Sequence, residues 1–436
     1  EQVGDRQWVA EALHSLGAAA FNARAAQASV DAYRRAGQLF REIGMAGAAA
    51  QAAMRQADAH RDLGSLEDCL EAAREASELA ESINDFTVAG EAHHLQASVL
   101  LKLGRDEEAL DACDAASTHF WQADCPSQVL CVGDIAITSH LRLRQWDNAL
   151  HVARECLALA HSSEADTSWT RYRVAEVLHL GGRHSEALEE AEAAHRHYCQ
   201  RDDLGGAAQS QRLRGEALMG LGRYREALDA FGQARALFEA VGRVRESLLC
   251  AVDEAFALQM FGAHGEAERI NRQLVWTYAE LEPDSVDAQF SAVRLLDNVI
   301  AQGHFHRCCD TAEALRSLWS EESTAVTPSY REFLGRWTWV MYKTGRIEYA
   351  VAMATHVIKR LPDGFQGSVG ADCFEVRGRY RLARQIPGAL EDLAQASNAH
   401  LALGQAERAG ALAPLLVEAL GGGAATDRVH DAISAA

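Results

Sequence analysis

The stretch Leu221-Gly222-Arg223-Tyr224-Arg225-Glu226-Ala227-Leu228 returns in altered form along almost the whole chain. A small residue recurs at Ala28, Cys69, Ala109, Ala149, Ala187, Ala227, Ala267, Cys308, Ala350 and Ala389, at intervals of 38 to 42 residues. Five positions before these anchors stand Ala23, Gly64, Gly104, Arg144, Gly182, Gly222, Gly262, Gly303, Gly345 and Arg384. Seven of the ten are glycine, which points to a turn with positive φ or a helix C-cap. Ten such units over residues 7 to 404 grow by stacking rather than around one core, although 436 residues would otherwise suggest two or three domains.

Each unit reads as a helix, a short turn and a second helix. The small anchor lets the second helix lie close against the first. Leu228, Phe231, Ala234, Leu237 and Phe238 follow three-and-four spacing, which makes one buried stripe. Glu107, Glu108, Glu186, Glu226 and Glu266 fall in the first turn of a second helix, where the helix dipole favours negative charge. Pro126, Pro283, Pro328 and Pro362 fall between units, where a missing N–H does little harm. Longer loops are expected at residues 320–329 and 361–370, a closing helix at 405–420 with Pro414 near its start or kinking it, and a mobile tail at 421–436.

Composition narrows the function classes. Hydrophobic residues make up 48% of the chain and there are only six prolines, as in an all-helical soluble protein. Forty-two basic against 62 acidic residues give a net charge of −20, which disfavours nucleic acid and anionic membranes and favours basic partners. Ten cysteines without a CxxC pair read as reduced thiols in a cytoplasmic protein. No signal peptide and no run of about 18 apolar residues is present. The first residue is not methionine, which is consistent with a processed or excised part of a longer chain.

The Gly222–Leu228 core and the unit Leu103-Gly104-Arg105-Asp106-Glu107-Glu108-Ala109-Leu110 resemble the tetratricopeptide repeat (TPR) family. That resemblance covers most of the chain and implies an all-α, right-handed superhelical solenoid of about ten helix-turn-helix units. The period of about 40 residues, against 34 in the family, implies longer helices and is similar to that of sensor arms in bacterial regulators. Units at Ala28, Cys308 and Ala389 match weakly, as terminal or specialised units would.

Chemistry-bearing motifs are sparse. There is no GxxxxGK[ST], no HExxH and no GxSxG, so neither a catalytic residue nor a cofactor is expected. The run His304-Phe305-His306-Arg307-Cys308-Cys309 suggests zinc, but Cys308 fills the anchor slot and Cys309 the leucine slot. His195, His197 and Cys199 form a second cluster. His197 and His119 share a slot that holds Leu79, Leu159, Leu237 and Leu318 elsewhere, so they read as core or boundary histidines and no metal site is expected. Cys69, Cys113 and Cys156 fill small slots, while Cys125, Cys131, Cys250 and Cys373 are less constrained.

A binding surface is better supported. In the family the first helices line a concave groove, and the family's spacing places one row at Asp58, Ser98, Thr138, Glu176, Glu216, Phe256, Asp297 and Trp339. A second row reads Met54, His94, Asp134, Tyr172, Arg212, Val252 and Val293. The expected partner is a protein or peptide with basic groups. The candidate site residues are Asp58, Asp134, Tyr172, Glu176, Arg212, Glu216, Asp297, Trp339 and Tyr342, and charge reversal at Glu176, Glu216 or Asp297 should leave folding intact. A solvated acidic face is the plain alternative. Trp319, Tyr330, Phe333, Trp337, Trp339, Tyr342 and Tyr349 cluster in sequence, either as interface anchors or as a core filled with larger residues. The functional expectation is a noncatalytic scaffold in a bacterial cytoplasm, with the sensing arm of a larger regulator as the alternative.

Overall fold

Turns with a left-handed residue divide the chain into helices. In the computed structural model, described for residues 2–281, 286–319, 328–361 and 367–420, positive φ recurs inside helix pairs at Arg24, Gly64, Gly104, Arg144, Gly182, Gly222, Gly262, Gly303, Gly345 and Gln385. Between pairs it recurs at Gly44, Asn84, Asp124, Glu164, Asp202, Gly242 and Gly404. Both kinds of turn close in the same way. Gly64 N–H donates to Arg61 O and Ser65 N–H to His60 O, and Asn84 and Asp85 repeat this on Glu81 and Ala80. These are Schellman motifs, which satisfy the last carbonyls of a helix. At Gly222 an added Cβ would meet nothing within 4 Å, so glycine is needed there for φ of +73° and not for space.

Two compact units result, Glu1–Arg223 and Tyr224–Ala436. The first holds α1 (Gln2–Asn22), α2 (Ala26–Glu42), α3 (Ala46–Leu63), α4 (Leu66–Ser82), α5 (Phe86–Leu103), α6 (Asp106–Gln122), α7 (Pro126–Arg142), α8 (Trp146–Ser162), α9 (Ser168–Leu180), α10 (His184–Gln200) and α11 (Leu204–Gly220). The second holds α12 (Tyr224–Ala240), α13 (Val244–Phe261), α14 (His264–Leu281), α15 (Val286–Ala301), α16 (Phe305–Leu315), α17 (Pro328–Lys343), α18 (Ile347–Ile358), α19 (Ser368–Ala383), α20 (Ala389–Ala402) and α21 (Ala406–Ala419). Among the described residues there is no strand. Up to α20, odd-numbered helices are first helices of the repeat and even-numbered ones second helices, with α11 ending the first unit and α12 opening the second, so each unit is an all-α array of TPR-like helices.

The anchors do what their size suggests. Cys69, Ala109, Ala149, Ala187, Ala227, Ala267, Cys308 and Ala350 are all 0% exposed. Elsewhere glycine permits the close approach: a Cβ at Gly133 of α7 would lie 2.3 Å from the Cys156 sulfur of α8. The weak first unit is displaced by one residue from its expected phase. Ala28 is exposed, and Ser29 takes the buried slot, its hydroxyl donating to Gly17 O at 2.9 Å. The turn residue is accordingly Arg24 and not Ala23. In the last pair the turn residue is Gln385 and not Arg384, and α20 begins four residues later, behind Pro387 and a second left-handed residue, Gly388.

Pro126 opens α7 and Pro328 opens α17, where proline costs no helical hydrogen bond. Pro414 lies inside α21, which packs Leu412 and Leu416 with Leu393 of α20. Pro283, Pro362, most of the two expected loops and the tail at 421–436 lie outside the described residues. No helix is long and apolar enough to cross a membrane, among the described residues.

Candidate functional site

On the first unit's first helices, the outward positions are organised by one buried arginine. Arg173 of α9 is 8% exposed, and its Nε lies 2.8 Å from the Asp134 carboxylate on α7 as an ion pair. Its Nη2 donates to Thr138 Oγ1 at 2.8 Å, and Nη1 pairs with Glu176 one turn further along α9. A planar guanidinium can serve these three partners together because its donors fan out in a fixed fork. On the next first helix, α11, Arg212 and Glu216 pair at 3.0 Å. Burial first, then the Glu176 and Glu216 carboxylates, push the Tyr172 hydroxyl above its ordinary range. Burial also raises Glu176, against the opposing pull of Arg173.

Asp134, Tyr172, Glu176, Arg212 and Glu216 therefore meet in one patch across α7, α9 and α11. Trp169 belongs to it as well. Its ring stacks on Tyr172 at 5.4 Å and 22°, lies 5.9 Å from the Arg173 guanidinium carbon, and is 43% exposed. Trp169 and Arg173 were not among the sequence candidates. Trp169 stands one turn before Tyr172, a spacing that a search of two fixed slots per helix passes over.

Asp58 is on α3, its side chain 15% exposed, held by Arg61 at 2.9 Å and Arg55 at 3.3 Å. It borders a cleft of about 260 Å³ lined also by Phe21 and Tyr33.

In the second unit, Asp297 of α15 accepts from Arg336 of α17 at 2.6 Å, and Arg336 also donates to Ser368 Oγ at 3.1 Å. Trp339 and Tyr342 stack at 6.0 Å and 27°. Lys343 Nζ and Arg408 Cζ each lie 4.6 Å from the Trp339 ring centroid, and Arg408 also pairs with Asp372 at 2.8 Å and Glu375 at 3.0 Å. The aromatic cluster divides. Trp319, Tyr330, Phe333 and Trp337 are buried in the core, Trp339 and Tyr342 pack on its edge, and Tyr349 is 73% exposed.

The acidic row is thus largely engaged by the protein's own arginines. Reversing Glu176 or Asp297 would break internal ion pairs, so such variants would not separate binding from stability as the sequence alone suggested.

The cysteine and histidine runs are divided: Cys308 and Cys309 are packed, while His304, His306 and Cys199 are exposed. Cys308 and Cys309 are buried, and burial pushes the Cys308 thiol up to about 12. Cys69 and Cys156 are raised to about 11 and Cys113 to about 12 by the same cause, the reverse of what activates a thiol. Cys250 and Cys373, unconstrained by the repeat, are 0% exposed. His195 Nδ1 lies 3.0 Å from Ala207 O, and its Nε2 lies 3.6 Å from the Cys199 sulfur.

No family model matches the chain, and no curated protein matches it. Solved structures do match. Aspartyl phosphate phosphatase F from Bacillus subtilis aligns at 13% identity and a TM-score of 0.48, over 65% of this chain and 75% of that one. The apo quorum sensor NprR from B. thuringiensis aligns at 12% and 0.43, over 83% and 99%. The nearly identical TPR-like repeats of a Podosopora anserina protein of kinesin light chain type align at 19% and 0.40, over 44% and 95%. These matches are TPR-like repeat proteins. In this chain the TPR-like character lies in its own helix pairs and turns.

Proposed function

We propose that this chain is a noncatalytic binding module for an extended polypeptide segment, and that the segment lies across α7, α9 and α11 of the first unit. The observation that carries this is the Trp169–Tyr172 stack, half open to solvent and fixed from behind by Arg173. Rigid aromatics with a polar tip lose little entropy on binding and supply much of the energy of interfaces. Arg212, Glu216 and Asp134 around the stack supply donors and acceptors for a peptide backbone. Basic groups on the partner would compete with Arg173 for carboxylates already paired, so the aromatic stack, more than charge, sets the affinity.

The test is selection of peptides from a displayed random library on the intact chain, followed by affinity measurement on variants. The account expects enriched peptides to lose affinity with Trp169→Ala and Tyr172→Ala. Peptides indifferent to both would place the binding surface elsewhere.

A further inference from the structure

Glu81 lies in the last turn of α4, His93 in the first half of α5 and His119 in the last turn of α6. The three side chains converge. His93 Nε2 is 2.9 Å and His119 Nε2 3.2 Å from the same oxygen of Glu81, and the three potential ligand atoms lie within 4.8 Å of one another. The imidazoles are nearly parallel, at 8° and 5.5 Å, and Phe86 stacks on His119 at 6.1 Å and 17°.

The repeat does not require this arrangement. His119 occupies the slot that holds Leu79, Leu159, Leu237 and Leu318 in other repeats, so packing alone would be served by leucine. Two imidazoles hydrogen-bonded to one carboxylate oxygen bring together the nitrogen and oxygen donors that a transition metal takes.

We propose that Glu81, His93 and His119 bind one divalent cation of the zinc class, with its remaining coordination positions open to water or an added ligand. Bonds of about 2.0–2.2 Å in a tetrahedron place ligand atoms roughly 3.3 Å apart, close to the 2.9 and 3.2 Å already present. Small side-chain adjustments therefore make room for the ion. Two nitrogen ligands and one oxygen favour zinc, cobalt, nickel or copper over magnesium and calcium, which take oxygen donors. The side chains are 17%, 17% and 44% exposed for His93, His119 and Glu81, which leaves a path for entry.

His119 Nδ1 is buried without a hydrogen-bond partner, so this ring lacks the outer acceptor that usually orients a ligating histidine. Missing outer contacts typically cost about 10–100-fold in metal affinity, so the site would hold its ion more weakly than dedicated structural zinc sites do. The ion would tie the last turn of α4 to α5 and to the last turn of α6, joining the pair α3–α4 to the pair α5–α6.

The probe is Co2+, titrated into the full chain and followed by its visible d–d absorption, with Zn2+ displacement and thermal unfolding as second readouts. The expected result is one Co2+ per chain, displaced by Zn2+, with a rise in melting temperature. His119→Leu, which installs the residue other repeats use, is expected to keep full helicity and lose at least about tenfold in affinity. Glu81→Gln, at an exposed position, is expected to weaken binding too, while His151→Ala on the solvent-facing side of α8 leaves it unchanged. No visible band, or equal binding by the parent chain and His119→Leu, would overturn the proposal.

Discussion

Nε of Arg173 lies 2.8 Å from the carboxylate of Asp134, one first helix before it, and Arg336 stands in the same relation to Asp297 at 2.6 Å in the second unit. In both cases the arginine follows its acid by 39 residues, about one repeat. The pairing thus acts as a rung between consecutive first helices. Its chemistry is that of an ion pair in a partly dry setting, and removing one member leaves the others poorly solvated.

Replacing Arg173 by Met keeps the volume but strands Asp134 and Glu176 in a half-buried position. A loss of about 2 kcal/mol is expected from chemical unfolding, in line with charged hydrogen bonds. An unchanged urea midpoint would mean that the rung is ornamental.

The one-residue shift of the first repeat makes a sharp contrast. Ala28→Leu lies on an exposed surface and should change stability by no more than about 0.5 kcal/mol. Ser29→Leu puts a larger side chain into a fully closed slot and breaks the bond to Gly17 O, so a loss of about 1–3 kcal/mol is expected. The opposite ranking in thermal melts would restore Ala28 as the anchor.

The array was legible in the sequence because its constraints fall on residue types that stand out. Gly222 answers a backbone requirement and Ala227 a spacing requirement, and few residues meet either. The first unit was misplaced because Ala23, Arg24, Ala25 and Ala28 offer no glycine and several small residues, so nothing fixed the phase. The turns between pairs escaped notice for a related reason: Asn84, Asp124 and Asp202 tolerate the left-handed region without advertising it, and Glu164 adopts it without any local signal in its residue type. At the candidate site, the row of acids was visible, but not the arginines that neutralise it. Which guanidinium reaches which carboxylate depends on the offset between neighbouring helices, and that offset is set by packing. The same holds for Glu81, His93 and His119, whose convergence joins three helices.

Acid should loosen the first unit before its carboxylates titrate. Burial holds His94 and His179 below the ordinary histidine range, so the folded state favours their neutral rings. Below a pH of about 6.5 the unfolded chain binds more protons at these sites, and the stability present above that pH is lost as pH falls. The urea midpoint should drop between pH 7.5 and 5.5, and His179→Gln should shrink the drop. An identical drop in parent and variant would show that His179 does not contribute.

Thiol labelling gives an independent check on packing. Cys131 and Cys199 are exposed and Cys125 is half-buried, while the other seven are buried. Rapid reaction with an aromatic disulfide reagent at pH 8 should be confined to Cys131 and Cys199, with the buried thiols reacting only on unfolding. Fast labelling at Cys308 or Cys373 would contradict the close packing of the second unit.

The most direct measurement of the binding account compares two exposed tryptophans of the first unit. Trp169 is 43% exposed on a first helix and Trp121 is 54% exposed on the second helix α6. With a library-selected peptide, Trp169→Ala is expected to raise Kd at least about tenfold, as loss of an interface anchor does, and Trp121→Ala to leave it within about twofold. Equal affinity for the parent chain and Trp169→Ala, or a larger loss with Trp121→Ala, would contradict the account.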